Sequence, residues 1–183
     1  LKIIYNMKIV IGIDVGISTT KIIGINEEGR VLSPIRIRAT DPITSLYGAF
    51  GKYLYDNKIQ LDDVEKVMLT GVGAAYIDKA VYGLPTGKSE EFIANGLGAR
   101  YETDQKRMMV VSMGTGTSIV KCDQDSIMHV GGIGIGGGTL QGLSRLLLNT
   151  DDIKQVAALA EHGDLAHINA VSYTHLRAHE TDQ

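Results

Sequence analysis

Residues 8–26 read KIVIGIDVGISTTKIIGIN. Lys8–Val15 is an apolar, β-branched run that closes on Asp14 and Gly16, the pattern of a buried strand. Thr20–Asn26 repeats that pattern as a second strand. Between them lies a short turn of small residues. Working outward, Glu27-Glu28-Gly29-Arg30 is a turn in which Gly29 supplies a positive φ. Val31–Ala39 is a third strand, and Pro34 within it marks an edge or a bulge. The three consecutive strands predict an antiparallel meander.

A helix follows. Asp41-Pro42 is a start signal, and Ile43, Leu46, Tyr47, Phe50, Tyr53 and Leu54 recur at helical spacing. Lys66–Thr70 is a strand closed by Gly71 and Gly73. Ala74–Val81 reads as a short helix, and Ser89–Tyr101 as another with Ser89 at its N-cap. Met108–Met113, Thr117–Asp123 and Ile127–Val130 then form a second series of strands. The segment Gly131–Gly138 opens onto a helix over Thr139–Leu148. Asp151–Glu161 is a further helix with acidic residues in its first turn, where the helix dipole favours them.

The second series echoes the first. Asp14-Val15-Gly16-Ile17-Ser18-Thr19-Thr20 and Gly114-Thr115-Gly116-Thr117-Ser118 are both tight Gly/Ser/Thr loops between two strands, and each meander leads through a third strand to a helix. Two related α/β lobes facing one cleft account for the echo. The expected lobes are residues 7–105 and 106–169, with the boundary in the polar stretch Thr103–Lys106. Residues 1–6, ahead of Met7, and 170–183, which lack apolar periodicity, are expected to be extensions foreign to the fold.

Composition narrows the function. A net charge of −3 gives no broad basic field for nucleic acid or anionic lipid. No apolar run approaches the roughly 20 residues that span a bilayer. The single cysteine, Cys122, allows neither an internal disulfide nor a metal cluster of its own. His162 and His167 share no metal-ligand spacing with other ligand types. A reducing, cytoplasmic setting is the expectation.

The loops carry the chemistry. Small residues in a strand-to-strand turn leave backbone N–H groups free for phosphate oxygens, joined by the Ser18 and Thr19 hydroxyls. Asp14, at a strand end, is placed to hold Mg²⁺, through water, and Lys21 adds a positive charge. Two such turns can grip one polyphosphate from opposite sides. The run Gly131–Gly138 is costly in backbone entropy unless a ligand or another backbone must come close, and it leads to a helix N-terminus that suits an anion. It is neither a Walker motif nor a dinucleotide fingerprint. A phosphoryl acceptor must also be oriented and deprotonated. Glu90, Glu91 and Asp78 are the candidates between the loops. His129, just ahead of the glycine run, reads as structural or as a ligand contact.

The segments IGIDVGISTTKI, EEFIANGLGA, VSMGTGTSIV and VGGIGIGGGTLQGLSRLLL occur in the order and spacing of type II pantothenate kinases. The chain resembles that family from about Met7 to Asn169. The resemblance implies an α/β fold of the actin-like, ribonuclease H-like ATPase type in the actin/sugar-kinase superfamily, with an incomplete second lobe. It also implies transfer of the ATP γ-phosphoryl group to pantothenate, the first step of coenzyme A synthesis, by a Mg²⁺-dependent homodimer. Glu91 takes the family's catalytic-base position. Gly16, Ile17, Ser18, Thr19, Thr20, Lys21, Ile22 and Ile23 match the first ATP loop. Gly114, Thr115 and Gly116 match the second. Gly136, Gly137, Gly138, Thr139 and Leu140 match the glycine-rich ATP contact, and Asp14 the acidic residue near Mg²⁺. His129 stands where relatives often carry an arginine that contacts substrate, and Ile17 where many carry glycine. Relatives continue for about another half-lobe.

Three other readings compete. An ATPase activator of a 2-hydroxyacyl-CoA dehydratase opens with a similar loop, but it holds an iron–sulfur cluster and needs at least two placed cysteines. A sugar kinase of the N-acetylglucosamine type would share the ATP loops. A nucleotide-sensing module would keep the loops without a working base.

Overall fold

The computed structural model describes residues 8–38 and 41–164. The proposed extensions at residues 1–6 and 170–183 lie outside the described residues, as does His167. Within the described range, residues 8–136 form one compact unit and 137–164 a second.

The first unit begins with β1 (Ile9–Val15), β2 (Thr19–Asn26) and β3 (Ile35–Arg38). They pair antiparallel as expected, with Gly29 at φ +76° in the β2–β3 connection. The third strand is shorter than its apolar pattern. Val31 makes only an isolated bridge to Ile25, and regular pairing starts after Pro34, which has no N–H to donate. Helix α1 (Pro42–Asn57) crosses over to β4 (Val64–Thr70), which lies parallel to β1. Asp41 caps α1: its carboxylate accepts from the Ile43 and Thr44 amides, and its bonds to Thr44 hold its pKa below the usual carboxylate value. A three-residue strand, β5 (Thr86–Lys88), lies parallel to β4. The sheet order is β3-β2-β1-β4-β5.

Alternation in β1 builds the core. Ile9, Ile11, Ile13 and Val15 all point to one face, where they meet Leu46, Ala49, Phe50 and Tyr53 of α1. At about 25 cal/mol per Å², burying each such side chain contributes roughly 1.5–3 kcal/mol. Ile43 lies at the rim of that stripe and is half exposed, although its spacing fits. The opposite sheet face carries Gly12, Asp14, Lys21 and Arg36 and is not filled by α1.

After β4 the chain departs from its sequence pattern at two points. Residues 74–81 do not form an α-helix. Gly71 and Gly73 tighten the chain into a 3₁₀ turn at Val72–Tyr76, and a second 3₁₀ turn at Val81–Gly83 includes Tyr82 in a left-handed conformation. Ser89 does not cap the next helix. Its amide donates to Leu69 O and extends the β4–β5 pairing, so α2 starts two residues later, at Glu91–Thr103.

Strands β6 (Met108–Met113), β7 (Thr117–Cys122) and β8 (Ile127–Ile133) form a second antiparallel sheet, the echo of the first. Helix α2 packs on one face of it. Arg100 of α2 donates to the carbonyls of Asp123 and Ser126 and pins the β7–β8 turn. Arg100→Ala removes those donors and is expected to cost about 1–2 kcal/mol, measured as a lower denaturant midpoint with an unchanged m-value. An unchanged midpoint would mean that water replaces both bonds without loss.

The glycine segment is less of a loop than its composition implies. Gly131 and Gly132 belong to β8, paired with Ile119 and Ser118. In the second unit, Gly137 and Gly138 already form the first turn of α3 (Gly137–Leu148). Helix α4 (Ile153–Ala160) follows, and its Asp152 N-cap accepts from the Lys154 and Gln155 amides.

Candidate active site

Strands β1, β4 and β5 run parallel, so their C-terminal ends share one edge of the first sheet. In parallel α/β sheets that edge is where ligands bind. Asp14 is the penultimate residue of β1, and Thr70, the last of β4, lies directly beside it in register. The chain leaving β5 is tied to Leu69 through the Ser89 amide at 2.9 Å, and Glu91 follows two residues later. This sheet edge and α2 enclose a cavity of about 530 Å³.

Across the cavity floor, register alone makes a polar row. Thr70 pairs with Asp14, Asp14 with Lys21, and Lys21 with Arg36. Lys21 Nζ donates to Asp14 Oδ2 at 2.7 Å. On the roof, α2 presents Glu91, Ala94 and Asn95. Asn95 Nδ2 and Thr70 Oγ1 are buried and, among the described residues, have no hydrogen-bond partner. Ile23, Pro34, Ile35 and Met68 make the remaining wall apolar.

Of the residues singled out in the sequence, the cavity therefore brings together Asp14, Lys21, Ile22, Ile23 and Glu91. Gly16, Ile17, Ser18, Thr19 and Thr20 form the β1–β2 turn next to it. The Gly16 amide donates to Thr19 O at 3.0 Å, and the Ile17 and Ser18 side chains are exposed. Glu90 precedes the first turn of α2, and Asp78 is exposed in the connection after β4; neither lines the cavity.

The second loop is built against the glycine run. The Gly114 amide donates to Gly116 O at 2.8 Å, and Thr117 Oγ1 donates to Ile135 O at 2.7 Å. A Cβ on Gly136 would lie 2.8 Å from Gly114 O and from the Gly116 carbonyl, which leaves room for hydrogen only. Gly114, Thr115, Gly116 and Gly136 thus form one backbone cluster. Gly137, Gly138, Thr139 and Leu140 open α3 in the second unit. His129 is exposed on β8, outside the cavity, with its ring 6.0 Å from that of Phe92, the residue after Glu91.

The residues that sequence reasoning missed are Arg36, Thr70, Ser89 and Asn95. Only the strand order and the start of α2 bring them to the cavity. Among the described residues no group of three or more histidine, cysteine, aspartate or glutamate side chains could hold a metal ion, and no helix is long and apolar enough to cross a membrane.

Superposed on solved structures, the chain shares the fold of actin-like ATPases. The activator of the 2-hydroxyisocaproyl-CoA dehydratase from Clostridium difficile, solved with bound ADPNP, matches with a TM-score of 0.69 at 14% identity, over 85% of this chain and 57% of that one. Component A of the (R)-2-hydroxyglutaryl-CoA dehydratase from Acidaminococcus fermentans matches at 0.70 and 14%, over 86% and 60%. At that identity the likeness is one of fold. Sequence goes further: residues 98–172 match the Fumble family. A type II pantothenate kinase of Staphylococcus aureus strain bovine RF122 / ET3-1 is 32% identical over 159 residues, 84% of this chain and 55% of its own length. Another, from strain USA300, is 40% identical over 106 residues, 55% of this chain and 39% of its own. These matches bear out the resemblance to the type II pantothenate kinase family. The chain spans about half the length of the curated relatives it matches.

Proposed function

We propose that the protein transfers the γ-phosphoryl group of ATP to the primary hydroxyl of pantothenate. The observation that carries this reading is the placement of Glu91 over the same cavity that Asp14 and Lys21 line, in a chain whose sequence relatives are named type II pantothenate kinases. A carboxylate beside a phosphate-binding turn is the minimum apparatus for an alcohol acceptor.

In this mechanism the amide-rich turns at Gly16–Thr20 and Gly114–Gly116 hold the triphosphate oxygens, and Lys21 faces the charge that builds on the transferred group. Glu91 orients the acceptor hydroxyl and takes its proton. The new bond joins the acceptor oxygen to the γ-phosphorus, the bond to the bridging oxygen breaks, and ADP departs with the electron pair. Mg²⁺ is bound in such sites by one or two carboxylates, by phosphate oxygens and by water rather than by a protein cage. Asp14, a single partly exposed carboxylate at the sheet edge, fits that donor set. The ion would neutralise phosphate charge there. The active form is proposed as a homodimer.

The direct test offers the chain Mg·ATP with pantothenate, pantetheine or N-acetylglucosamine and follows ADP release. Turnover with pantothenate is expected. Turnover with the sugar alone would replace this reading by that of a sugar kinase, and acceptor-independent hydrolysis by that of an ATPase. The second loop gives a separate prediction. Gly136→Ala drives a methyl into the Gly114 and Gly116 carbonyls, displacing backbone that cannot rotate away. ATP affinity is expected to fall about tenfold, the equivalent of one charge-assisted hydrogen bond. An unchanged dissociation constant would remove this loop from the nucleotide site.

A further inference from the structure

The polar row on the cavity floor holds one cation more than it can balance. Lys21 and Arg36 stand directly opposite each other on β2 and β3, an arrangement of like charges that is unfavourable in a sheet. Asp14 compensates Lys21 at 2.7 Å. Arg36 also lines the cavity and is exposed to it, but among the described residues it makes no hydrogen bond or ion pair. Its neighbours on the cavity wall, Pro34, Ile35 and Ile23, are apolar. Among the described residues, the carboxylates lining the cavity are Asp14, already bonded to Lys21, and Glu91, on the opposite wall.

We propose that Arg36 is an anion-reading subsite that selects a substrate carrying an oxyanion at a set distance from the reacting hydroxyl. Two strand spacings separate Asp14 from Arg36, roughly 10 Å. An extended hydroxy acid with about eight bonds between hydroxyl and carboxylate spans ~10 Å. Between the two ends it would lie along the apolar wall and beneath Asn95, whose Nδ2, without a partner among the described residues, suits the carbonyl of an amide in the middle of the ligand. The planar guanidinium fork donates two parallel hydrogen bonds to a carboxylate. A nucleotide phosphate carries the same oxyanion chemistry, so the two sources are separated by experiment. This inference rests on the proposed function, because pantothenate ends in a carboxylate and pantetheine does not.

The test measures equilibrium binding of pantothenate, pantetheine and ATP to the chain and to its Arg36→Gln and Arg38→Gln variants. Arg36 is on a short outer strand with no partner to lose, and Arg38, also exposed on β3, does not line the cavity, so it controls for surface charge. Arg36→Gln is expected to weaken pantothenate about tenfold and leave pantetheine and ATP unchanged. Weakened ATP with unchanged pantothenate would assign the subsite to a phosphate instead. Equal affinities for all three ligands, or an equal loss in Arg38→Gln, would overturn the subsite. If the unsubstituted chain binds ATP but neither pantothenate nor pantetheine, the proposed acceptor falls. If it binds pantothenate and Arg36→Gln binds it as tightly, only the role of Arg36 falls.

Discussion

Glu91→Gln is expected to lower phosphoryl transfer by about 10²–10⁴-fold, the range of a lost general base, while ATP binds as before. The substitution keeps the side chain's size and its hydrogen-bonding reach and removes the ability to take a proton. Glu91 is the first residue of α2 and exposed, and among the described residues it makes no hydrogen bond or ion pair. Little folding energy therefore depends on it. The only structural loss is the favourable placement of a negative charge at a helix N-terminus, about 0.3–1 kcal/mol. A large fall in turnover with a small change in melting temperature separates chemistry from stability. The neighbouring Glu90→Gln, which lies outside the cavity, is expected to leave turnover within about twofold, the scale of a surface substitution. Unchanged phosphoryl transfer in Glu91→Gln would remove Glu91 from the role of base. Loss of ATP binding would place Glu91 in the nucleotide pocket.

A strong local period is legible in the sequence. The β-branched run from Ile9 to Val15 has one geometry that buries every second side chain, and Asp41-Pro42 admits one helix start. The repeated strand-loop-strand pattern likewise gave the two sheets and both meanders. What escaped was set by tertiary contact. Thr86-Gly87-Lys88 has no apolar signal and becomes β5 because the end of β4 offers it a parallel partner, with the Val67 amide donating to Pro85 O. That pairing takes up the Ser89 amide as well, so a residue with ideal capping chemistry ends a strand instead. Gly131 and Gly132 read as loop by composition, yet β7 supplies the register that makes them strand. The cavity shows the same division. Asp14 and Lys21 were legible because they flank one turn, and Glu91 through a family motif. Arg36, Thr70 and Asn95 come from three elements spread over sixty residues, and only the order β3-β2-β1-β4-β5 places them around one space.

The same sheet edge contains a position where fold and site meet in one residue, and its substitution is the second large effect expected. Gly71 follows Thr70 with φ +85° and ψ 164°, a region open essentially to glycine alone. A Cβ there would sit 2.4 Å from Asp14 Oδ1 and 2.7 Å from Val15 O. Val15 is fully buried and paired in β1, so its backbone cannot yield. Gly71→Ala therefore adds backbone strain of about 1–3 kcal/mol to an overpacking cost of about 1–3 kcal/mol. The sum is a large part of the roughly 5–15 kcal/mol that holds a domain folded. The strain is relieved most easily by rotating the Asp14 carboxylate, because a side chain moves at less cost than a paired strand. Gly71→Ala is accordingly expected to unfold at lower temperature and, below its transition, to lose most of the gain in ATP affinity that Mg²⁺ confers. Gly73→Ala provides the comparison: its Cβ would meet Val15 Cγ1 at 2.5 Å and Val15 O at 2.8 Å, and its three nearest atoms all belong to Val15. That variant should be destabilised yet keep the Mg²⁺ response. If both variants respond to Mg²⁺ as the unsubstituted chain does, the carboxylate at the end of β1 does not serve the metal. If both lose the response equally, the effect belongs to the loosened sheet edge rather than to Asp14.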